Sequence, residues 1–230
     1  MELIAKLSLG PLLLAQGRRV RRTATRLPEP PGARAGETGA GPLLRLLVLG
    51  DSSAAGVGAP HQDAALCGQL VAALAAQRRV RWQLLARSGL DAAGIRALLP
   101  ATADAVDVVV LCCGVNEVTS GAKAAHSVAQ MAALLEDLRM RLGAPQVLLS
   151  PVPPMHLFPA LPQPLRWFLG LRARKLDAAI RRALPQWPQA RLVEHGVALS
   201  AQTIASDGFH PGPQGYAAWA RVLAQTILRP

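Results

Sequence analysis

Four short blocks of the chain hold the residue types that acyl transfer by a serine requires. The first, Gly50-Asp51-Ser52-Ser53, ends the apolar run Leu46-Leu47-Val48-Leu49. The second is Arg87-Ser88-Gly89-Leu90-Asp91 and the third Cys113-Gly114-Val115-Asn116-Glu117. The fourth, Ser206-Asp207-Gly208-Phe209-His210-Pro211, stands near the end of the chain. A serine hydroxyl needs a base to take its proton, a carboxylate to orient that base, and donors for the oxyanion. Ser52 fits the nucleophile and His210 the base. Asp207, three residues before His210 on a turn, fits the orienting group. The backbone N–H groups of Ser52 and Gly89 and the side-chain amide of Asn116 fit the three donors. Gly94 is the fallback for Gly89, although it falls inside an expected helix.

These blocks need a scaffold that brings them to one edge. Short apolar runs alternate with longer amphipathic ones from Arg45 onward. Runs apolar on both faces suit buried parallel strands, and strands are expected at 44–49, 80–86, 107–112, 146–150 and 191–194. Helices are expected at 63–77, 91–99, 123–142, 165–184 and 213–228, with Asp63 and Asp91 as N-caps. The alternation implies an α/β fold of three layers, α/β/α. Its five-stranded parallel sheet would be flavodoxin-like, in the order 2-1-3-4-5. Ligands bind in such folds at the carboxyl ends of the strands, where the first three blocks fall. The Pro-rich segment 151–164, with Met155, His156, Leu157 and Phe158, is long enough to wall an apolar pocket.

Composition narrows the function classes. Over 230 residues, 51% are hydrophobic and only 3% aromatic, which disfavours an all-β sandwich and a base-stacking nucleic-acid platform. The formal net charge of +11 rests almost wholly on arginine and reads as a solvated basic surface or an anion-binding patch. The three cysteines, Cys67, Cys112 and Cys113, suit a reducing compartment. Residues 1–42 read as an N-terminal extension ahead of a domain at 43–230. Its first part, 1–17, is apolar but interrupted by Gly10-Pro11, too short to span a membrane and poor as a signal peptide. A basic cluster, Arg18-Arg19-Val20-Arg21-Arg22 with Arg26, follows, and 28–42 reads as a Pro/Gly linker. Residues 1–26 suit either an anionic membrane surface or a helix packed on its own globule. The expected location is the cytoplasm, peripheral to the inner membrane face in the first case.

The four blocks together resemble those of the SGNH hydrolases, also called GDSL esterases and lipases. That family is read by Gly-Asp-Ser, a glycine after the second strand, Gly-x-Asn-Asp after the third, and Asp-x-x-His near the end. Here Ser53 replaces the leucine of the first block and Glu117 the final aspartate of the third. The resemblance covers about residues 45–228. It implies a Ser52–His210–Asp207 triad and an oxyanion hole from Ser52, Gly89 and Asn116. It implies an ester or thioester substrate of small-molecule size, of the lysophospholipase or acyl-thioesterase kind, and neither a metal nor an organic cofactor.

The same residues admit other readings. A carbohydrate O-deacetylase uses the same machinery. A non-catalytic module docking on anionic surfaces through 1–26 would leave Ser52 as a mere helix cap. Asp207 and His210 could be two ligands of a metal site only with a third from His61 or Asp51. His61, His126, His156 and His195 show no partner pattern and read as surface or internally satisfied histidines. Cys112 and Cys113 read as core, and the four tryptophans as packing.

Overall fold

The structure, a computed structural model, describes residues 2–101, 104–196 and 198–229. In chain order the main elements are α1 (Glu2–Thr23), β1 (Ala35–Thr38), β2 (Leu43–Gly50), α2 (Ser52–Ala55), α3 (Leu66–Ala75) and β3 (Arg79–Ala86). They continue with α4 (Ala92–Arg96), β4 (Val108–Cys112), α5 (Val115–Ser120), α6 (Ala124–Arg141) and β5 (Gln146–Leu149). The last are α7 (Leu165–Ala183), β6 (Ala190–Leu192) and α8 (Pro213–Leu228).

The sheet has six strands in the order β1-β3-β2-β4-β5-β6. Five of them, β2 to β6, are parallel and follow the expected 2-1-3-4-5 order. The sixth, β1, pairs antiparallel with β3 and extends the edge. It falls within 28–42, which the composition marked as linker. All four of its residues are exposed, so it carries no apolar alternation to reveal it.

Side chains alternate across the parallel strands, and each face builds its own core. Leu47, Leu49, Val109, Leu111, Val147 and Leu149 face the layer of α4, α6 and α7. Leu46, Val48, Val108, Val110 and Leu148 face α3 and α8. These strands are apolar along their length because both faces are covered. Asp91 caps α4, its side chain accepting the Gly94 N–H at 2.9 Å. Asp63 does not cap α3: the helix begins at Leu66 after Ala65, and Asp63 sits in a preceding 3₁₀ turn.

The N-terminal segment is one helix that runs through Gly10-Pro11. A single internal proline removes one hydrogen bond and crowds the preceding turn. Contacts with α7 and its preceding loop offset that loss. Leu13 is buried among the residues of the α7 face. Gln16 donates to the Gln163 carbonyl at 2.7 Å and accepts the Leu165 N–H at 3.0 Å.

Candidate active site

Gly50 ends β2 where the strand lies against β4. A Cβ there would stand 2.2 Å from the Cys112 carbonyl oxygen, so only glycine fits. The Asp51 N–H then donates to that same carbonyl at 3.1 Å. Asp51 caps α2 by accepting the Ser53 N–H at 3.0 Å, which leaves Ser52 as the first residue of the helix. This tight strand–helix turn presents the Ser52 hydroxyl at the carboxyl edge of the sheet.

His210, the expected base, arrives from the far end of the sequence. His210 Nε2 lies 2.8 Å from Ser52 Oγ, and His210 Nδ1 lies 2.5 Å from Asp207 Oδ2. The other oxygen of Asp207 accepts the Phe209 and His210 amides at 2.9 and 3.1 Å. The carboxylate is thus fixed by its own turn. Burial works to raise the Asp207 carboxyl, but the hydrogen bonds from His210 and the Phe209 amide hold it below its ordinary value. Gly58 lets the two loops meet: a Cβ there would stand 2.3 Å from the Pro211 carbonyl oxygen and 3.3 Å from His210 Cβ.

Asn116 lies in α5, after β4. Its Nδ2 donates to the Leu90 carbonyl at 2.8 Å and stands 3.5 Å from Asp51 Oδ2. Both amide hydrogens thus have acceptors, the one on Asp51 at the long limit of a hydrogen bond, so a ligand in the cavity that Asn116 lines would take over the Asp51 contact. Glu117 is buried, and its Oε1 accepts the Ala92 N–H at 2.7 Å, tying α5 to α4. Burial raises the Glu117 carboxyl above its ordinary value and pushes Asp51 up to about 7 against the pull of the Ser53 amide.

Gly89 sits on an exposed turn after β3 at φ +83°, a conformation glycine adopts readily, with nothing within 4 Å of a Cβ position. It is not among the residues lining the cavity that holds Ser52. The turn is held from an unexpected quarter: Glu29 accepts the Ser88 N–H at 2.7 Å and the Ser88 hydroxyl at 2.8 Å. Gly94 is not a usable substitute, because its N–H is taken by Asp91.

Ser52 and His210 open into a cavity of about 930 Å³. Of the residues expected to wall an apolar pocket, Met155 and Phe158 line it, with Pro153 and Leu161 of the same segment, whereas His156 and the exposed Leu157 do not. His195 also lines it, edge-on to Trp219 with ring centroids 4.6 Å apart. Burial pushes His195 down to about 4, so it is a neutral imidazole near pH 7. No spacing in the sequence marked His195 or Trp219 for the cavity, since their rings meet only through tertiary packing. His61 pairs with Asp63 at 3.0 Å, and no group of three His, Cys, Asp or Glu among the described residues could hold a metal ion.

No helix among the described residues is long and apolar enough to cross a membrane. No curated protein matches the chain. Among solved structures, a lipolytic G-D-S-L protein from Veillonella parvula has a TM-score of 0.63 at 14% identity, covering 81% of this chain and 100% of its own. A carbohydrate acetylesterase from Sinorhizobium meliloti has a TM-score of 0.61 at 17% identity, covering 80% and 98%. The aryl esterase of M. smegmatis, with inhibitor bound, has a TM-score of 0.60 at 18% identity, again covering 80% and 98%. These likenesses concern the fold. The model of the GDSL-like lipase/acylhydrolase family matches residues 48–218, from the strand before Ser52 to the helix after His210. The chain belongs to that family.

Proposed function

We propose that the protein is a serine hydrolase of carboxylic esters or thioesters that works through Ser52, His210 and Asp207. The observation that carries this reading is the continuous hydrogen-bonded chain from Asp207 through His210 to Ser52 at an apolar cavity. Ser52 Oγ attacks the carbonyl carbon while His210 Nε2 takes the hydroxyl proton. Asp207 stabilises the imidazolium that forms. The Ser52 amide and Asn116 Nδ2, both on cavity-lining residues, receive the oxyanion, and the Gly89 amide joins them provided its exposed turn closes over the substrate. Collapse of the tetrahedral intermediate expels the alcohol or thiol, which leaves with the proton from His210, and an acyl group remains on Ser52. Water then attacks, with His210 as base, and releases the acid.

The apolar cavity wall favours an acyl chain over a sugar, and so a lysophospholipase-like or thioesterase-like substrate over an acetylated carbohydrate. Assays of a butanoyl ester and a butanoyl thioester with S52A and H210A test the reading. Each variant should stay folded and lose about 10⁴-fold or more in kcat. Near wild-type turnover by S52A would refute it.

A second reading concerns where the enzyme works. The α1 residues Leu12 and Leu14 are 46% and 59% exposed, close to the exposed Arg18, Arg19 and Arg22. Apolar side chains beside arginines suit the surface of an anionic membrane. Sedimentation with phosphatidylglycerol vesicles, lost in 0.5 M salt or on replacing these arginines, would bear it out.

A further inference from the structure

The N-terminal helix stands outside the family's own fold. The family model begins at residue 48, and the solved structures named above are spanned almost in full while about a fifth of this chain is left over. Yet α1 reaches the cavity that holds Ser52 and His210. Gly10, Leu13, Leu14, Gly17, Val20 and Arg21 all line it. Their spacing of three and four residues is that of one continuous helix face. The helix is fastened in place by Leu13 in the core, by the two Gln16 hydrogen bonds, and by Glu2, whose carboxylate lies 3.1 Å from Lys175 Nζ.

We infer that α1 is a wall of the acyl-chain site and makes the enzyme selective for long, unbranched acyl chains. The inference rests on the hydrolase reading above and specifies its substrate. Three observations support it. The face turned to the cavity is apolar over nearly three turns, with one arginine, Arg21, at its carboxyl end. Glycine stands at two of its positions, where it costs helix stability relative to alanine. At Gly10 a Cβ would meet nothing within 4 Å, and at Gly17 it would meet only the Arg21 guanidinium at 3.7 Å. Both glycines therefore leave open space along the wall rather than accommodating a neighbour. A cavity of about 930 Å³ is also far more room than an acetyl group fills, near the upper end for small-molecule sites.

The test uses the same two glycines. Because nothing crowds either position, Gly10→Phe and Gly17→Phe should fold, and each should project a ring into the chain site. Wild type and variants are assayed on p-nitrophenyl acetate and p-nitrophenyl dodecanoate below micelle-forming concentration. The wild-type ratio of kcat/KM, dodecanoate over acetate, should be large, and either variant should lower it about tenfold or more. An unchanged ratio in both variants, or no wild-type preference for the longer chain, overturns the inference. Calorimetric titration with dodecanoate reads the wall without turnover. Wild type should bind it, and the variants about tenfold or more weakly. If wild type hydrolyses neither ester but binds dodecanoate in this way, the hydrolase reading fails while the wall stands. If it hydrolyses both and the variants bind as wild type does, the wall fails alone.

Discussion

The Tyr216 hydroxyl of α8 donates to the Val57 carbonyl at 2.6 Å, joining the helix behind His210 to the turn that follows Ser52. Tyr216 is fully buried, and its phenol has been pushed well above its ordinary range by that burial. The hydrogen bond spans 159 residues of sequence and ties the segments that carry His210 and Ser52 together. Removing the hydroxyl leaves a buried carbonyl unpaired, so Tyr216→Phe should cost about 1–3 kcal/mol of stability. Urea denaturation with an unchanged m-value would measure it, and the variant should keep substantial turnover.

Asn116 holds one amide hydrogen on Leu90 at 2.8 Å and the other only loosely on Asp51 at 3.5 Å, at the cavity it lines. If that hydrogen meets the oxyanion, Asn116→Ala should lower kcat by about 10²–10³-fold with a much smaller change in KM. Steady-state kinetics on a short ester decide it. A rise in KM alone would assign Asn116 to substrate binding instead.

Glu29 reaches from the N-terminal segment to the Ser88 amide and hydroxyl, one residue before Gly89. Burial works to raise its carboxyl, but the hydrogen bonds from Ser88 and Arg34 leave it below its ordinary value. Glu29→Ala should free the turn and lower kcat by about tenfold, while Glu29→Gln, which keeps an acceptor, should recover most of it. Equal activity in the two variants would show that the turn needs no such tether.

Asp51 gives a pH signature. Its folded-state value of about 7 lies above its ordinary 3.8, so the folded protein holds that proton more tightly than the unfolded chain. The resulting stability is full below about pH 4 and is lost as pH rises through about 7. Glu117 is shifted in the same direction. The loss for Asp51 is at most roughly 4 kcal/mol. Asp51→Asn stays neutral throughout, so its Tm relative to wild type should climb between pH 4 and 8. A pH-independent difference would show that Asp51 is charged in the fold.

The parts of the molecule buried on two sides were legible in the sequence. The strands β2, β4 and β5 announce themselves as apolar runs because helices cover both faces of the sheet. The expected sheet order survives, with one strand added. The strand β1 was hidden because an exposed edge strand needs only backbone pairing, and Ala35-Gly36-Glu37-Thr38 has no pattern to betray it. The helix α1 was ambiguous because Gly10-Pro11 interrupts its pattern, and its fastening through Leu13 and Gln16 is tertiary. Ser52, Asn116, Asp207 and His210 were named by type and order; Ser52, Asn116 and His210 line one cavity, and Asp207 is hydrogen-bonded to His210. Gly89 was named for the same reason, but it stands on an exposed turn and is not among the cavity-lining residues. Glu29 and His195 meet their partners, Ser88 and Trp219, from far away in sequence, and no local spacing signals such contacts.

Ser52 Oγ is the atom that must carry the acyl group in the proposed reaction. A fluorophosphonate reacts with an activated serine hydroxyl by displacement of fluoride, which leaves a stable adduct. Intact-mass and peptide mapping after such treatment should show one adduct, on the peptide containing Ser52, with labelling abolished in S52A and slowed strongly in H210A. A stoichiometric adduct on another residue, or an unlabelled Ser52 in an enzyme that still hydrolyses esters, would contradict the account.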